Sequence, residues 1–186
     1  MVNENDMKRV RRLLALLRAE GIDCIIAGGF ARDTFFEATP KDIDIICAGV
    51  PHEVIATLFE ETATQTRSYP KYNGPESDRL AGVWKILDTN IDVILYEVPT
   101  ALEAVSKFDY NLNQFVYNED TEQSEYVGEG DWHTLVRLRD DARGSRELKM
   151  KEKFSELVLG LKGPTAAGFA SVFGMSIEDF DKQIGF

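Results

Sequence analysis

Residues 27–44 read AGGFARDTFFEATPKDID, and this stretch decides the predicted fold. Asp42 and Asp44 stand at alternate positions of an apolar strand, so their side chains point to the same side of the sheet. Two adjacent carboxylates repel each other unless a cation lies between them, and hard oxygen ligands suit Mg²⁺. The glycine pair Gly28 and Gly29 lets the backbone approach a phosphate closely. Together these residues predict a site for metal-dependent phosphoryl or nucleotidyl transfer.

The length and composition of the chain predict one main folded unit with at most a small appendage. The chain has 186 residues, of which 44% are hydrophobic, enough to bury a substantial core. No run approaches the roughly 20 apolar residues of a membrane span, and the N-terminus lacks the apolar stretch of a secretory signal. We therefore expect a soluble cytoplasmic protein with no membrane contact. Cys24 and Cys47 are expected to be buried reduced thiols, and the isolated His52 and His133 indicate no zinc site.

The charge balance argues against a protein that coats nucleic acid with a general basic surface. The chain carries 21 basic and 32 acidic residues, which gives a net charge of −11. A local basic patch remains able to guide a strand end, and two segments are candidates for it, RRLLALLR at 11–18 and RGSRELKMKEK at 143–153. The alternative interpretation is that both segments are solvated helix faces, and the sequence favours that interpretation.

Apolar periodicity, glycines and prolines predict a regular series of elements. In chain order they are a helix over 4–20, a strand over 22–27, a helix over 30–37, a strand over 42–47, a helix over 51–61, hairpin strands over 83–88 and 91–97, a helix over 99–106, strands over 114–117 and 124–127, and helices over 132–138, 145–159, 164–173 and from 176. The polar stretch around Pro70 is assigned no strand. The pattern predicts an α+β fold, with a mixed sheet flanked by helices over 1–140 and a short C-terminal helical appendage over 141–186.

A third aspartate, Asp92, lies in the predicted strand IDVIL. If that strand neighbours the strand of Asp42 and Asp44, three carboxylates come together and are able to hold two Mg²⁺ ions. One ion would deprotonate an attacking hydroxyl, and the other would bind a triphosphate. The alternatives are that Asp92 is a solvated residue near the turn at Asp88, and that Asp42 and Asp44 lie on the charged outer face of an edge strand.

The ordered set of glycines, cations and aspartates resembles the head domain of the CCA-adding enzyme and bacterial poly(A) polymerase family, within the polymerase beta nucleotidyltransferase superfamily. The residues that carry this resemblance are Gly28, Gly29, Arg32, Asp33, Lys41, Asp42 and Asp44. The resemblance implies that Gly28 and Gly29 hold an incoming triphosphate and that Asp42 and Asp44 bind Mg²⁺ or Mn²⁺. It also implies that Arg32 and Asp33 brace the site. For Lys41, neutralising phosphate and pairing with a carboxylate both stay open.

Downstream the resemblance continues in a weaker form. The family has two arginines followed by Asp-Phe-Thr-x-Asn, a segment that contacts the ribose and phosphates, whereas this chain reads KFDYNLN over 107–113. Asp109 and Asn113 match that pattern, Lys107 keeps one cation, and Phe108 replaces the other. The alternative for Asp109 and Asn113 is a helix cap and a turn residue. For the family's base-reading pair, the quartet at 140–143 is only a loose candidate, because its surroundings lack the family's pattern.

The resemblance covers roughly residues 8–120, and the body and tail with which CCA-adding enzymes grip tRNA have at most a stub here. It implies an enzyme that moves a nucleoside monophosphate from an NTP to a hydroxyl and releases pyrophosphate. An RNA 3′ end is the first acceptor to test. One alternative is a protein or small-molecule hydroxyl, which the acidic charge favours somewhat. The other is a nucleotide-binding or partner-binding module without turnover, which the missing arginine pair favours.

Overall fold

A computed structural model describes residues 1–68 and 79–161 of the chain. The helices are α1 (Glu4–Ala19), α2 (Gly29–Phe35), α3 (His52–Leu58), α4 (Ala101–Val105) and α5 (Ser145–Leu157), with a 3₁₀ turn at Asn111–Asn113. The strands are β1 (Asp23–Ala27), β2 (Ile43–Ala48), β3 (Ala63–Ser68), β4 (Leu80–Ile86), β5 (Ile91–Tyr96), β6 (Phe115–Asn118) and β7 (Gln123–Tyr126). The helices predicted over 164–173 and from 176 lie outside the described residues.

The seven strands form one mixed sheet in the order β3-β4-β5-β2-β1-β6-β7. Only β2 and β5 run parallel within this set, and every other neighbouring pair is antiparallel. In the parallel pair, Asp44 lies directly opposite Asp92. The sheet with its flanking helices confirms the predicted α+β fold.

Side chains alternate along the central strands, so one face of the sheet packs into the main apolar core and the opposite face carries the aspartates. On β2, Ile43, Ile45 and Cys47 are fully buried in the main core, where they join the apolar stripe of α1 at Val10 and Leu14. The opposite face of the central strands is covered by α4, through a smaller cluster that includes Ile46, Ala48, Ala104 and Val105. Asp44 lies on the same face two residues before Ile46, next to the apolar cluster beneath α4.

Two features differ from the sequence-based expectation. Residues 132–138 do not form a helix, because the backbone there bonds to the segment after α4: Asn111 accepts from the Val136 N–H at 2.8 Å and donates to the Thr134 carbonyl at 2.7 Å. A strand that we did not predict, β3, lies at one edge of the sheet, where Thr64 pairs with Lys85 of β4. Its polar sequence ATQTRS lacks the apolar alternation by which a half-buried strand is recognised.

The helix α5 packs into the main core rather than standing apart from it. Met150 and Phe154 are 1% exposed and belong to the same apolar cluster as the stripe of α1. The division between residues 1–140 and 141–186 stays a prediction. Cys24 and Cys47 are free, buried thiols, as predicted. In the ranges 1–68 and 79–161, no helix combines the length and the apolar character needed to cross a membrane.

Candidate functional site

The glycine turn between β1 and α2 brings the main chain against the acidic pair. Gly28 has φ +88°, a left-handed conformation that suits glycine, and its N–H donates to the Phe115 carbonyl at 2.9 Å. A Cβ atom at Gly28 would lie 3.6 Å from Oδ2 of Asp44 and 3.7 Å from the Phe108 ring. A side chain at position 28 would therefore contact the Asp44 carboxylate, and glycine leaves that space open.

Three carboxylates interact on this face of the sheet. Asp42 is exposed just before β2, Asp44 is half-buried on β2, and Asp92 is half-buried at the matching position of β5. Burial, followed by the charges of Asp42 and Asp92, raises the pKa of Asp44 to about 7. Burial also raises the pKa of Asp92, although Lys85 opposes this. The alternation and register that the sequence suggested thus bring the three predicted aspartates into one electrostatic group.

The third carboxylate already has a cationic partner within the protein. Lys85 on β4 places Nζ 3.5 Å from Oδ1 of Asp92. Within the described ranges, no group of three or more histidine, cysteine, aspartate or glutamate side chains is arranged to hold a metal ion. Mg²⁺ commonly binds through one or two carboxylates together with substrate phosphates. Asp42 and Asp44 fit that kind of site, and a metal-binding role for Asp92 stays a prediction.

A buried polar network holds the start of α2. Arg32 and Asp33 are 7% and 5% exposed, and Arg32 donates from Nε to Oδ1 of Asp33 at 2.8 Å. Arg32 also donates from Nη1 to Oδ1 of Asn113 at 2.7 Å. These bonds connect α2 to the 3₁₀ turn, and a bracing role for Arg32 and Asp33 stays a prediction.

The same network continues to α5 through Asp109. The Asn113 amide donates to Oδ1 of Asp109 at 3.0 Å, and Arg146 donates to both oxygens of that carboxylate. Burial would raise the pKa of Asp109, but the hydrogen bonds and charge of Arg146, assisted by Asn113, hold it below its ordinary value. Asp109 and Asn113 are therefore more than a cap and a turn residue, because they connect α2 to α5.

These groups surround a cavity of about 490 Å³, which is within the usual size of small-molecule sites. Its lining falls into three parts. The glycine turn and acidic group contribute Gly28, Gly29, Asp42, Asp44, Asp109 and Asn113. The cations are Arg32, Arg139, Arg146, Lys149 and Lys153, and the apolar residues are Ile46, Leu80, Ile94, Tyr96, Phe108 and Met150. A cavity that joins three carboxylates to five cations suits a polyanionic ligand that brings a metal ion with it.

Sequence reasoning did not assign the cations of α5 to the site. Arg146, Lys149 and Lys153 follow one another at spacings of three and four residues, which places them on one face of the helix. From the sequence, the segment 143–153 is a candidate basic patch, with a solvated helix face as the favoured interpretation. The spacing of the three cations indicates a basic helix face, and the structure shows that this face lines the cavity.

Other predicted residues lie away from this lining. Four of them do not line the cavity, and their proposed nucleotide or metal contacts stay predictions: Asp33, Lys41, Asp92 and Lys107. In the quartet at 140–143, Arg143 is exposed and donates to the Asp140 carbonyl at 3.0 Å, so these residues bond to one another.

Solved structures with a similar fold are CCA-adding enzymes. The chain is similar to the Bacillus stearothermophilus CCA-adding enzyme in complex with CTP, with a TM-score of 0.55, 17% identity and coverage of 83% of this chain and 40% of that one. An apo form of a CCA-adding enzyme gives a TM-score of 0.50 at 14% identity, covering 74% of this chain and 34% of that one. The chain thus has the nucleotidyltransferase fold and spans well under half the length of these enzymes.

Comparison of the amino-acid sequence with protein-family models assigns the chain to a family, which similarity of fold alone does not do. No curated protein sequence matches the chain significantly. Residues 3–143 match the sequence model of the family described as Gabija anti-defense 2 (Gad2). This match contains the glycine turn, the three aspartates and the first of the cations that line the cavity, Arg32 and Arg139. The chain belongs to the Gabija anti-defense 2 family.

Proposed function

We propose that this protein is a nucleotidyltransferase that moves a nucleoside monophosphate from an NTP to a hydroxyl and releases pyrophosphate. The observation that carries the proposal is the single cavity in which a glycine turn, the Asp42 and Asp44 pair and five cations meet. Five cations line this cavity in a chain with a net charge of −11. Arg32, Arg146 and Lys153 pair with Asp33 or Asp109, whereas Lys149 forms no ion pair within the described residues.

The triphosphate of the donor would bind between the glycine turn and α5. Lys149 is exposed, lines the cavity and forms no ion pair with another described residue, so its charge is available to a phosphate. Lys153 lies 3.9 Å from Oδ2 of Asp33 and 3.5 Å from Oε2 of Glu156, which fixes its direction. These cations would take over the neutralising role of the arginine pair that the sequence lacks.

Asp42 and Asp44 would hold the metal ion that accompanies the nucleotide. A bound Mg²⁺ or Mn²⁺ supplies Lewis-acid stabilisation of charge on the phosphates and makes a nearby hydroxyl more acidic. Because the pKa of Asp44 is about 7, its carboxyl group is partly protonated at neutral pH in the free protein. Binding a cation there requires the ionised carboxylate, so Asp44 would release its proton as the donor binds.

We place a protein hydroxyl ahead of an RNA 3′ end as the acceptor. The family name refers to counteracting a defence called Gabija, and attachment of a nucleotide to one of its protein components would be a direct way to inactivate it. The acidic charge of the chain supports this order, because an RNA substrate extends beyond the cavity and is repelled by an acidic surface.

The test is transfer of label from each α-labelled NTP in the presence of Mg²⁺, with extracts of cells that do or do not express Gabija components. We expect label in protein, only when those components are present, and none with Asp44→Ala. Asp120→Ala is the matched control, because Asp120 is exposed on the β6–β7 turn. Label in RNA would reverse the order of acceptors. Nucleotide binding without transfer under all conditions would support the binding-module alternative, and equal labelling by Asp44→Ala would contradict the assigned site.

A further inference from the structure

A cross-strand row of charged side chains runs over the site face of the sheet. Asp44 on β2 pairs with Asp92 on β5, and Asp92 pairs with Lys85 on β4. Residues in register on neighbouring strands project to the same face, so the three side chains stand side by side. The order across the row is Asp44, Asp92, Lys85.

Lys85 is placed to act on Asp92 by the strands themselves. Its Nζ lies 3.5 Å from Oδ1 of Asp92, and the two side chains are 37% and 24% exposed. Both residues are inside paired strands, with Thr64 of β3 on the other side of Lys85, so the backbone under the ion pair is fixed. Lys85 does not line the cavity, whereas Asp42 and Asp44 do. Asp92 is also absent from the lining, so the ion pair lies beside the Asp42 and Asp44 pair in the strand order and outside the cavity.

The charges of the three aspartates alone balance with one divalent ion when Lys85 is counted. Asp42, Asp44 and Asp92 carry three negative charges when ionised. One divalent cation and one lysine supply three positive charges, whereas without the lysine a second ion is needed to approach neutrality.

We propose that Lys85 takes the place of a second divalent cation, by holding Asp92 out of the set of metal ligands, so that the site binds a single metal ion with its nucleotide. This proposal rests on the proposed function and deepens it. Lys85 is a positioning residue here, because it acts through Asp92 and touches neither the nucleotide nor the metal ion.

The experiment counts bound Mn²⁺ by electron paramagnetic resonance, in the presence of saturating NTP analogue that cannot be cleaved between the α- and β-phosphates. We expect about one Mn²⁺ per chain in the wild type and about two in Lys85→Met, which frees Asp92. The double variant Lys85→Met with Asp92→Asn should return to about one. Lys8→Met on the exposed face of α1 is the control, and thermal unfolding of each variant verifies that it is folded.

Each outcome decides between the inference and the function on which it rests. Two ions in the wild type, or one ion in folded Lys85→Met, would overturn the role of Lys85 and leave nucleotidyl transfer standing. Should Lys85→Met not fold, Lys85→Gln replaces it with the same expected counts. Absence of bound Mn²⁺ in the wild type with the analogue present would contradict the proposed function, and the inference with it.

Discussion

Arg146 on α5 donates two hydrogen bonds to the Asp109 carboxylate, from Nε to Oδ2 at 2.5 Å and from Nη2 to Oδ1 at 3.1 Å. The planar fork of a guanidinium matches a carboxylate in this way, which fixes direction as well as distance. Asp109 belongs to the segment after α4, so the pair joins parts of the chain 37 residues apart. One consequence is that Lys149, a turn further along α5, is held at the cavity.

Removing the fork should loosen α5. We expect Arg146→Ala to lower the free energy of unfolding by about 2 kcal/mol, since it leaves the carboxylate of Asp109 largely buried without its cation. Arg143→Ala is the control, because Arg143 is exposed and bonds only locally, and it should cost less than about 0.5 kcal/mol. Urea unfolding measures both. Equal stability of the two variants would show that the fork does not anchor the helix.

The exposed lysine of α5 should affect the nucleotide more than the fold. Lys149→Gln removes one charge from the cavity, and we expect the Kd for an NTP to rise about three- to tenfold, by less at high salt. Thermal stability should stay unchanged, because the side chain is exposed. Lys8→Gln on α1, which does not line the cavity, should leave the Kd as in the wild type. Calorimetric titration with an uncleavable NTP analogue gives the values, and an unaltered Kd in Lys149→Gln would remove α5 from the phosphate site.

The central part of the fold was predictable because its periodicities are strong. Alternation in IDII on β2 and IDVIL on β5 set the faces of both strands, and the stripe of α1 set its buried side. The polar edge strand β3 gave no such signal, because a strand paired on one side needs little apolar surface. Residues 132–138 carry apolar side chains at helical spacing, but hydrogen bonds with Asn111, distant in sequence, decide their conformation.

The site was predictable where its residues adjoin in sequence, and where strand alternation or the family resemblance indicated distant ones, as for Asp92, Asp109 and Asn113. Gly28, Gly29, Asp42 and Asp44 lie within one short stretch, so local geometry was enough to bring them together. Lys85 is brought next to Asp92 by strand register, and Arg146 is brought to Asp109 by the packing of α5. Both contacts depend on tertiary structure, which the local sequence does not indicate. A basic helix face has the same periodicity whether it faces solvent or a cavity, so the sequence could not distinguish the two.

Asp44 should destabilise the free protein at neutral and higher pH. Its pKa is about 7 in the folded state and near 4 in an unfolded chain, so folding favours the protonated form. Wild-type stability is therefore lost as pH rises from about 4 to about 7, and the loss is complete above that range. We expect Asp44→Asn to be more stable than the wild type by about 4 kcal/mol at pH 8, since each of the three pKa units contributes about 1.4 kcal/mol, and equal to it near pH 4.

The measurement is urea unfolding of both proteins across this pH range, with a chelator present so that no metal ion compensates the charge. Asp120→Asn, on the exposed turn between β6 and β7, controls for the general effect of removing an aspartate. A difference between Asp44→Asn and the wild type that does not grow between pH 4 and 7 would show that Asp44 is not the group whose ionisation opposes folding.

Metal and nucleotide should bind as a pair rather than independently. Two carboxylates alone leave most positions around a divalent ion to water, and the phosphates of an NTP would complete its surroundings. We expect the Kd for Mn²⁺ to fall at least about tenfold when an uncleavable NTP analogue is saturating, and linkage requires the nucleotide to gain the same factor from Mn²⁺. Asp42→Asn should weaken Mn²⁺ binding in both conditions and reduce the coupling. If Mn²⁺ binds equally tightly with and without nucleotide, the acidic pair forms a metal site independent of the phosphates, and the cations of α5 must then be assigned another ligand.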